Sequence, residues 1–272
     1  MQETGNNAAS RRPRLTIRVG RKSMSFAVAD AAAEHGVCYE PYTVRSGISM
    51  AANLRAAFRE SPLLSQGYER AMVLVDSPVL MVPLDEFREE TMETFYRHAF
   101  MGREADVVAY NVLTALNAVA VFAVNKDLKL VADDHFGDVK IAALCSPVWN
   151  HLHQRSFTGN RRKLYGYFHD QRLDVASFGK NRFRFCNSYQ ADRYMDAAYF
   201  LLFAWKQLAL DSHRDELHLV GDIPERDELL VELRKYVQNV YVINPSADFN
   251  RAPASQIKNF PYDLMTYYVK GR

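Results

Sequence analysis

From residue 15 the chain alternates: Leu15, Ile17 and Val19 fall on one side, with Thr16 and Arg18 between them. That period of two marks a strand with one buried face. Gly20-Arg21-Lys22-Ser23 reads as a turn, residues 24–28 as the return strand of a hairpin, and residues 37–44 as a possible third strand. The period then lengthens. Residues 49–64 predict a helix with Leu54, Ala57 and Phe58 on one face and Pro62 as its stop signal. Strands are expected at 71–75 and 79–82, separated by Asp76-Ser77-Pro78, and a helix at 87–101 with Met92, Phe95, Tyr96 and Ala99 on one side. Two further strands follow at 106–113 and 117–124. The second is almost wholly apolar, as a buried central strand would be. A helix at 128–136, a strand at 139–144 and a helix at 147–155 complete this half, whose sheet is expected to be mixed.

The second half opens as the first did. Residues 164–168 read as a strand, His169-Asp170-Gln171-Arg172 as a turn, and 173–178 as the return. Gly179-Lys180-Asn181 is a second turn before a third strand at 183–189. A long helix follows, with Asp192 as its expected cap and Met195, Tyr199, Phe203 and Leu208 among its apolar positions. A strand at 216–220 ending at Gly221, a helix at 227–237, a strand at 240–243 and a helix at 262–269 close the chain. Each half begins with three antiparallel strands and continues with helix, strand and helix, the pattern of a duplicated α/β domain. The polar, basic stretch 156–163 is the expected boundary. It leaves a flexible basic tail at 1–14, one domain at 15–160 and a second at 161–272.

Composition narrows the class. The 272 residues are 48% hydrophobic and 24% charged, with a net charge of +2, which excludes disordered, collagen-like and disulfide-scaffold proteins. The three cysteines, Cys38, Cys145 and Cys186, are odd in number and far apart, which fits a reduced, cytoplasmic protein. No signal peptide is read, and the longest uncharged stretch, 107–125, is too polar for a membrane span. The near-neutral charge gives no general attraction to nucleic acid.

Two hairpin-led halves in one chain are the plan of actin-like and sugar-kinase-like ATPases. Leu173-Asp174-Val175-Ala176-Ser177-Phe178 resembles the return strand after the second phosphate loop of that superfamily, and Leu217-His218-Leu219-Val220-Gly221 resembles the strand and glycine of its adenosine motif. More narrowly, Phe183 through Tyr189, Tyr199 through Leu208 and Asp215 through Asp222 resemble a bacterial family of unknown function with an actin-like ATPase fold. The resemblance covers most of the chain from Leu15 onward. It implies duplicated actin-like (ribonuclease H-like) domains with mixed sheets and flanking helices, and it brings no established activity.

The superfamily's site implies ATP with magnesium: two turns present amides and small hydroxyls to the phosphates, and carboxylates hold the metal. This chain departs from that pattern. Arg18 stands where the first metal-linked aspartate is expected; Gly20 is kept, Arg21 and Lys22 replace small hydroxyl residues, and Ser23 is the nearest survivor. In the second turn Tyr167 replaces the carboxylate, His169 the close-approach glycine, and Arg172 and Leu173 the hydroxyls, leaving Asp170 as its acid. Gly221 is kept but followed by Asp222, and a carboxylate ~4 Å from a phosphate is repelled by ~4 kcal/mol at an effective dielectric of ~20. Arg18, Gly20, Arg21, Lys22, Ser23, Asp170, Gly221 and Asp222 are therefore candidates for a cleft without catalytic residues, cofactor or metal.

Other constellations read as structural. His151 and His153 diverge by ~200° on a helix, so they cannot share a metal, and both read as solvated. Asp133-Asp134-His135 also reads as solvated, His35 and Cys38 lack a second ligand pair, and Asp76-Ser77-Pro78 reads as a turn. No nucleophile elbow, P-loop or dinucleotide fingerprint is present. The aromatics Tyr165, Tyr167, Phe168, Phe178, Phe183, Phe185 and Tyr189 crowd the second hairpin and read as packing against helices, with a partner surface as the alternative. The expectation is a non-catalytic actin-like scaffold with a protein partner or self-association. The alternative is a nucleotide- or phosphometabolite-binding protein in which Arg18, Arg21, Lys22 and Gly221 converge on one cleft.

Overall fold

In the computed structural model, which describes residues 13–179 and 182–269, the alternating start becomes a hairpin of Leu15–Val19 (β1) and Met24–Ala29 (β2). Then come Val37–Tyr42 (β3), Met50–Glu60 (α1), Arg70–Val75 (β4), Val79–Pro83 (β5), Glu89–Ala99 (α2), Asp106–Leu113 (β6), Ala118–Asn125 (β7), Lys126–His135 (α3), Asp138–Ala143 (β8) and Cys145–Ser156 (α4). The second half comprises Lys163–His169 (β9), Arg172–Gly179 (β10), Arg182–Gln190 (β11), Tyr194–Gln207 (α5), Glu216–Gly221 (β12), Arg226–Leu233 (α6), Asn239–Val242 (β13), Pro245–Asp248 (α7) and Tyr262–Tyr268 (α8).

The duplication is visible in the sheets. The first has the order β3-β2-β1-β4-β8 and the second β11-β10-β9-β12-β13, each antiparallel across the opening hairpin and parallel beyond it. The expected mixed sheet is present, but the apolar strand β7 is not in it. Strands β5, β7 and β6 form a separate antiparallel sheet inserted between β4 and β8, with β7 at its centre and buried along nearly its whole length. Its register to the main sheet is fixed by one amide. Asn111 on β6 donates from Nδ2 to Ile141 O (3.0 Å) and accepts from Ala143 N (2.9 Å), pairing with the open edge of β8 as another strand would.

Strand β9 reads as a continuous apolar run because both its faces are buried. Leu164 and Phe168 join a core with Leu201 and Leu217, while Tyr165 and Tyr167 point into a larger core with Ile17 and Trp149. That larger core also takes Leu264 and Met265 of α8, which packs on α4 and reaches β1 and β2 through the Tyr268 hydroxyl, bonded to Thr16 and Ala27. Of the expected basic tail, residues 1–12 lie outside the described residues, as do Lys180 and Asn181 of the second turn. Arg14 is tied down by Ala71 O at 2.8 Å and by Asp138. Asp192 does not cap α5: it accepts a bond from Gln190, and Glu225 takes the Tyr194 amide at that helix start. No helix among the described residues is long and apolar enough to cross a membrane.

Candidate functional site

The two hairpin turns face each other across the halves. The first is closed by Gly20 N donating to Ser23 O at 2.8 Å. In the second, Asp170 and Gln171 both adopt positive φ (46° and 63°), the two left-handed residues of a tight hairpin that matches strand twist. Lys22 Nζ donates to Gln171 Oε1 at 2.6 Å, and Arg21 reaches Gln190 at 3.3 Å. Each side chain thus makes a hydrogen bond on the rim, to the opposite half.

Arg18 points inward and its side chain is 6% exposed. Nε donates to both carboxylate oxygens of Asp263 (2.9 and 3.0 Å), Nη1 to Ser23 Oγ (2.7 Å) and Nη2 to Asp170 Oδ2 (3.1 Å). Tyr167, at the position of a lost carboxylate, donates its hydroxyl to Asp263 Oδ2 at 2.6 Å. One guanidinium therefore joins the first turn, the second turn and α8. Burial works against its charge, but Asp263, Tyr167 and Asp170 outweigh burial and raise its pKa.

The ionic chain continues inward. His169 Nε2 donates to Asp174 Oδ2 at 3.0 Å, and its Nδ1 lies 3.9 Å from Asp170 Oδ2. Arg172 contacts Asp174 (3.3 Å) and crosses to Asp76 of the first half (3.1 Å). Burial alone would discharge His169; Asp174 and Asp170 outweigh it and raise the pKa to about 10. Burial likewise opposes the charges of Asp170 and Asp174, yet His169 with Arg18 or Arg172 holds both below the ordinary carboxylate range. Asp76 goes the other way, pushed up by burial despite His169 and Arg172.

This arrangement does not fit magnesium and a phosphate. In a phosphate loop the bare face of the glycine admits the anion, whereas here a Cβ on Gly20 would sit 2.2 Å from Asp170 Oδ2 and 2.9 Å from Arg18 Nη1. The Asp170 carboxylate and the Arg18 guanidinium already cover that face. Among the described residues, no group of three or more His, Cys, Asp or Glu is placed to hold a metal ion.

Of the sequence candidates, Arg18, Ser23, Asp170, Gly221 and Asp222 line one cavity of about 460 Å³, and Gly20 touches Asp170 beside it. Arg21 and Lys22 do not line it. Gly221 is required by geometry: its φ is +96° and a Cβ would meet Phe168 O at 2.0 Å. The histidines expected in solvent are buried. His151 donates to Asp248 at 2.8 Å, and His153 packs its ring against Phe157 and Phe178. Tyr165, Tyr167, Phe168 and Phe178 are core residues, and Tyr189 stacks on Phe200 of α5 at 4.3 Å. Sequence reasoning missed Asp263, the acceptor that organises Arg18. Its signal was a lone acid amid Tyr262, Leu264 and Met265, which on a buried helix demands a partner.

Two sheets of one order, each led by a hairpin, with the hairpin turns opposed, define an actin-like ATPase fold. A family model matches residues 2–240, and the chain belongs to that family, described as Protein of unknown function (DUF3822). A Bacteroides thetaiotaomicron protein with an actin-like ATPase fold and unknown function is similar at 27% identity and a TM-score of 0.81, over 92% of this chain and 98% of that one. A structure of the PilM–PilN type IV pilus biogenesis complex shares the fold at 14% identity and a TM-score of 0.55, over 87% of this chain and 90% of that one. No curated protein sequence matches the chain.

Proposed function

We propose that this protein is a non-catalytic actin-like scaffold, an interaction module of the cytoplasm that works through a protein partner or through self-association. The observation that carries the reading is the Arg18 bridge: the guanidinium takes the place of a metal-linked acid and fastens Asp170 of the opposite turn at 3.1 Å. Actin-like ATPases place phosphates between these turns. Here a side-chain ion pair links the two turns, which supports the reading. The shared fold also occurs in a pilus-biogenesis assembly, which is consistent with a role in binding.

The competing reading is a nucleotide or phosphometabolite site. It draws on the shared cavity of Arg18, Ser23, Gly221 and Asp222, but not on Arg21 and Lys22. A thermal melt with millimolar Mg-ATP separates the two. Ligand at ~100 times its Kd adds ~2.7 kcal/mol, a rise of roughly 5–10 °C for domains of this size. The scaffold reading expects no shift and no ATP turnover. A clear shift, or turnover lost on Gly20→Ala or Asp170→Asn, overturns it.

A further inference from the structure

The cavity beside the bridged turns has a chemistry of its own. We propose that it binds an organic cation, an ammonium or guanidinium group carried on an apolar stem. At about 460 Å³ it falls within the range of small-molecule sites. Tyr39, Tyr42, Phe260 and Tyr262 line it, with Tyr39 and Phe260 meeting edge to face at 4.9 Å. Aromatic faces attract cations once water is excluded.

Its charges point the same way. Each nitrogen of Arg18 already has a partner within the protein, and Asp263 and Asp170 balance its charge. Arg18 and His169 are set against Asp170, Asp222 and the adjoining Asp263, which leaves carboxylate in excess. Among the described residues, the Asp222 carboxylate has no hydrogen-bond partner; only its backbone amide is used, donating to Phe168 O at 3.0 Å. Burial pushes its pKa up, a penalty that a bound cation would relieve. An independent sign is Ser25. It lines the cavity at 4% exposure, and among the described residues its hydroxyl has the Tyr39 phenol beside it but no well-formed hydrogen bond. A hydroxyl in that position is otherwise costly to bury and suits a polar ligand group.

The cation has two possible sources, a free amine or a basic side chain of a partner protein. The inference rests on the non-catalytic reading, which leaves the cavity clear of nucleotide. The test is calorimetric titration of the full chain with agmatine and, separately, with N-acetyl-arginine methylamide, at low and high salt. At least one should bind, more weakly at high salt, and Asp222→Asn should weaken it by ~10-fold or more, the loss of one charge-assisted hydrogen bond. The Asp222 carboxylate makes no hydrogen bond among the described residues and only partial burial acts on it, so the variant should melt like the native chain. Binding of agmatine alone assigns a free amine, and binding of the peptide analogue assigns a partner's side chain. No binding by either probe, or unchanged binding in Asp222→Asn, overturns the proposal. Mg-ATP titrated in parallel keeps the two readings apart: its binding sinks the scaffold reading, whereas inert ATP with inert cations sinks only this one.

Discussion

Arg18 and Asp263 stand 245 residues apart and share two hydrogen bonds of 2.9 and 3.0 Å, with the Asp263 side chain wholly buried. The first strand and the last helix of the described chain are thereby joined at the centre of the molecule. Asp263 accepts from Tyr167 as well, so a single carboxylate gathers β1, β9 and α8. This contact ties the two halves together through side chains of the protein itself. The space in which related folds place a phosphate is spanned by opposite charges from both sides.

Replacing Arg18 tests that account. Arg18→Met keeps much of the stem but leaves Asp263 and Asp170 buried without their cation. Removing one partner of a buried pair costs about 3–5 kcal/mol, because the remaining charge is stranded. Urea denaturation should show a loss of that order, and Asp263→Asn added to Arg18→Met should recover part of it. Additive losses in the double variant would mean that the two residues act separately.

The pH dependence should identify His169. Its pKa is about 10 in the folded chain, against an ordinary value near 6.5, so the native state binds the proton more tightly. The stabilisation is complete below pH ~6.5 and is lost as pH rises toward ~10, a decline on the order of a few kcal/mol. Denaturation midpoints measured across that window should fall in the native chain and fall less in His169→Gln. A flat native profile would show that Asp174 does not hold the imidazolium.

Much of this architecture was legible in the chain. Leu15, Ile17 and Val19 announce β1, the hairpin is repeated around His169–Arg172, and both sheets follow from that repetition. Local period is written in adjacent residues, and it is what sets strand and helix. Long-range pairing is not. The apolar run of β7 looked like a strand of the main sheet, because burial on both faces gives the same pattern in a separate one. Asp263 drew no notice, His169 looked like the replacement of a close-approach glycine, and Asp174 looked like one residue of a return strand. Their actual roles, Asp263 as counter-charge to Arg18 and Asp174 as counter-charge to His169 and Arg172, depend on contacts that sequence spacing does not encode. His151 looked solvated because its partner Asp248 lies 97 residues away.

The two site glycines should fail for different reasons. At Gly221 an added Cβ faces a backbone oxygen at 2.0 Å in a left-handed conformation, which alone costs an alanine about 1–2 kcal/mol. Gly221→Ala should therefore destabilise the chain, and no side-chain change nearby should rescue it. At Gly20 the obstacles are side-chain atoms, Asp170 Oδ2 at 2.2 Å and Ser23 Oγ at 2.4 Å. Gly20→Ala should be partly rescued by Ser23→Ala. Equal rescue at both sites would contradict these contacts.

The acids flanking Arg172 should also differ from each other. Asp174 holds His169 and Arg172 together and is kept ionised, so Asp174→Asn leaves two buried cations short of a counter-charge. A loss of about 3–5 kcal/mol is expected at neutral pH. Asp76 accepts from the same arginine at 3.1 Å, yet burial outweighs that attraction and raises its pKa, so its charge is poorly tolerated where it lies. An acid with a raised folded pKa gives up stability as pH climbs through its ordinary value, and Asp76→Asn removes that loss. Asp76→Asn should cost under about 1 kcal/mol at pH 7, and the gap between the two variants should narrow toward pH 4, where the native Asp76 takes up its proton and no longer carries that loss while Asp174 stays ionised. Matched denaturation curves at pH 4 and pH 7 would measure it. An Asp76→Asn loss as large as that of Asp174→Asn would show that Arg172 depends equally on both carboxylates.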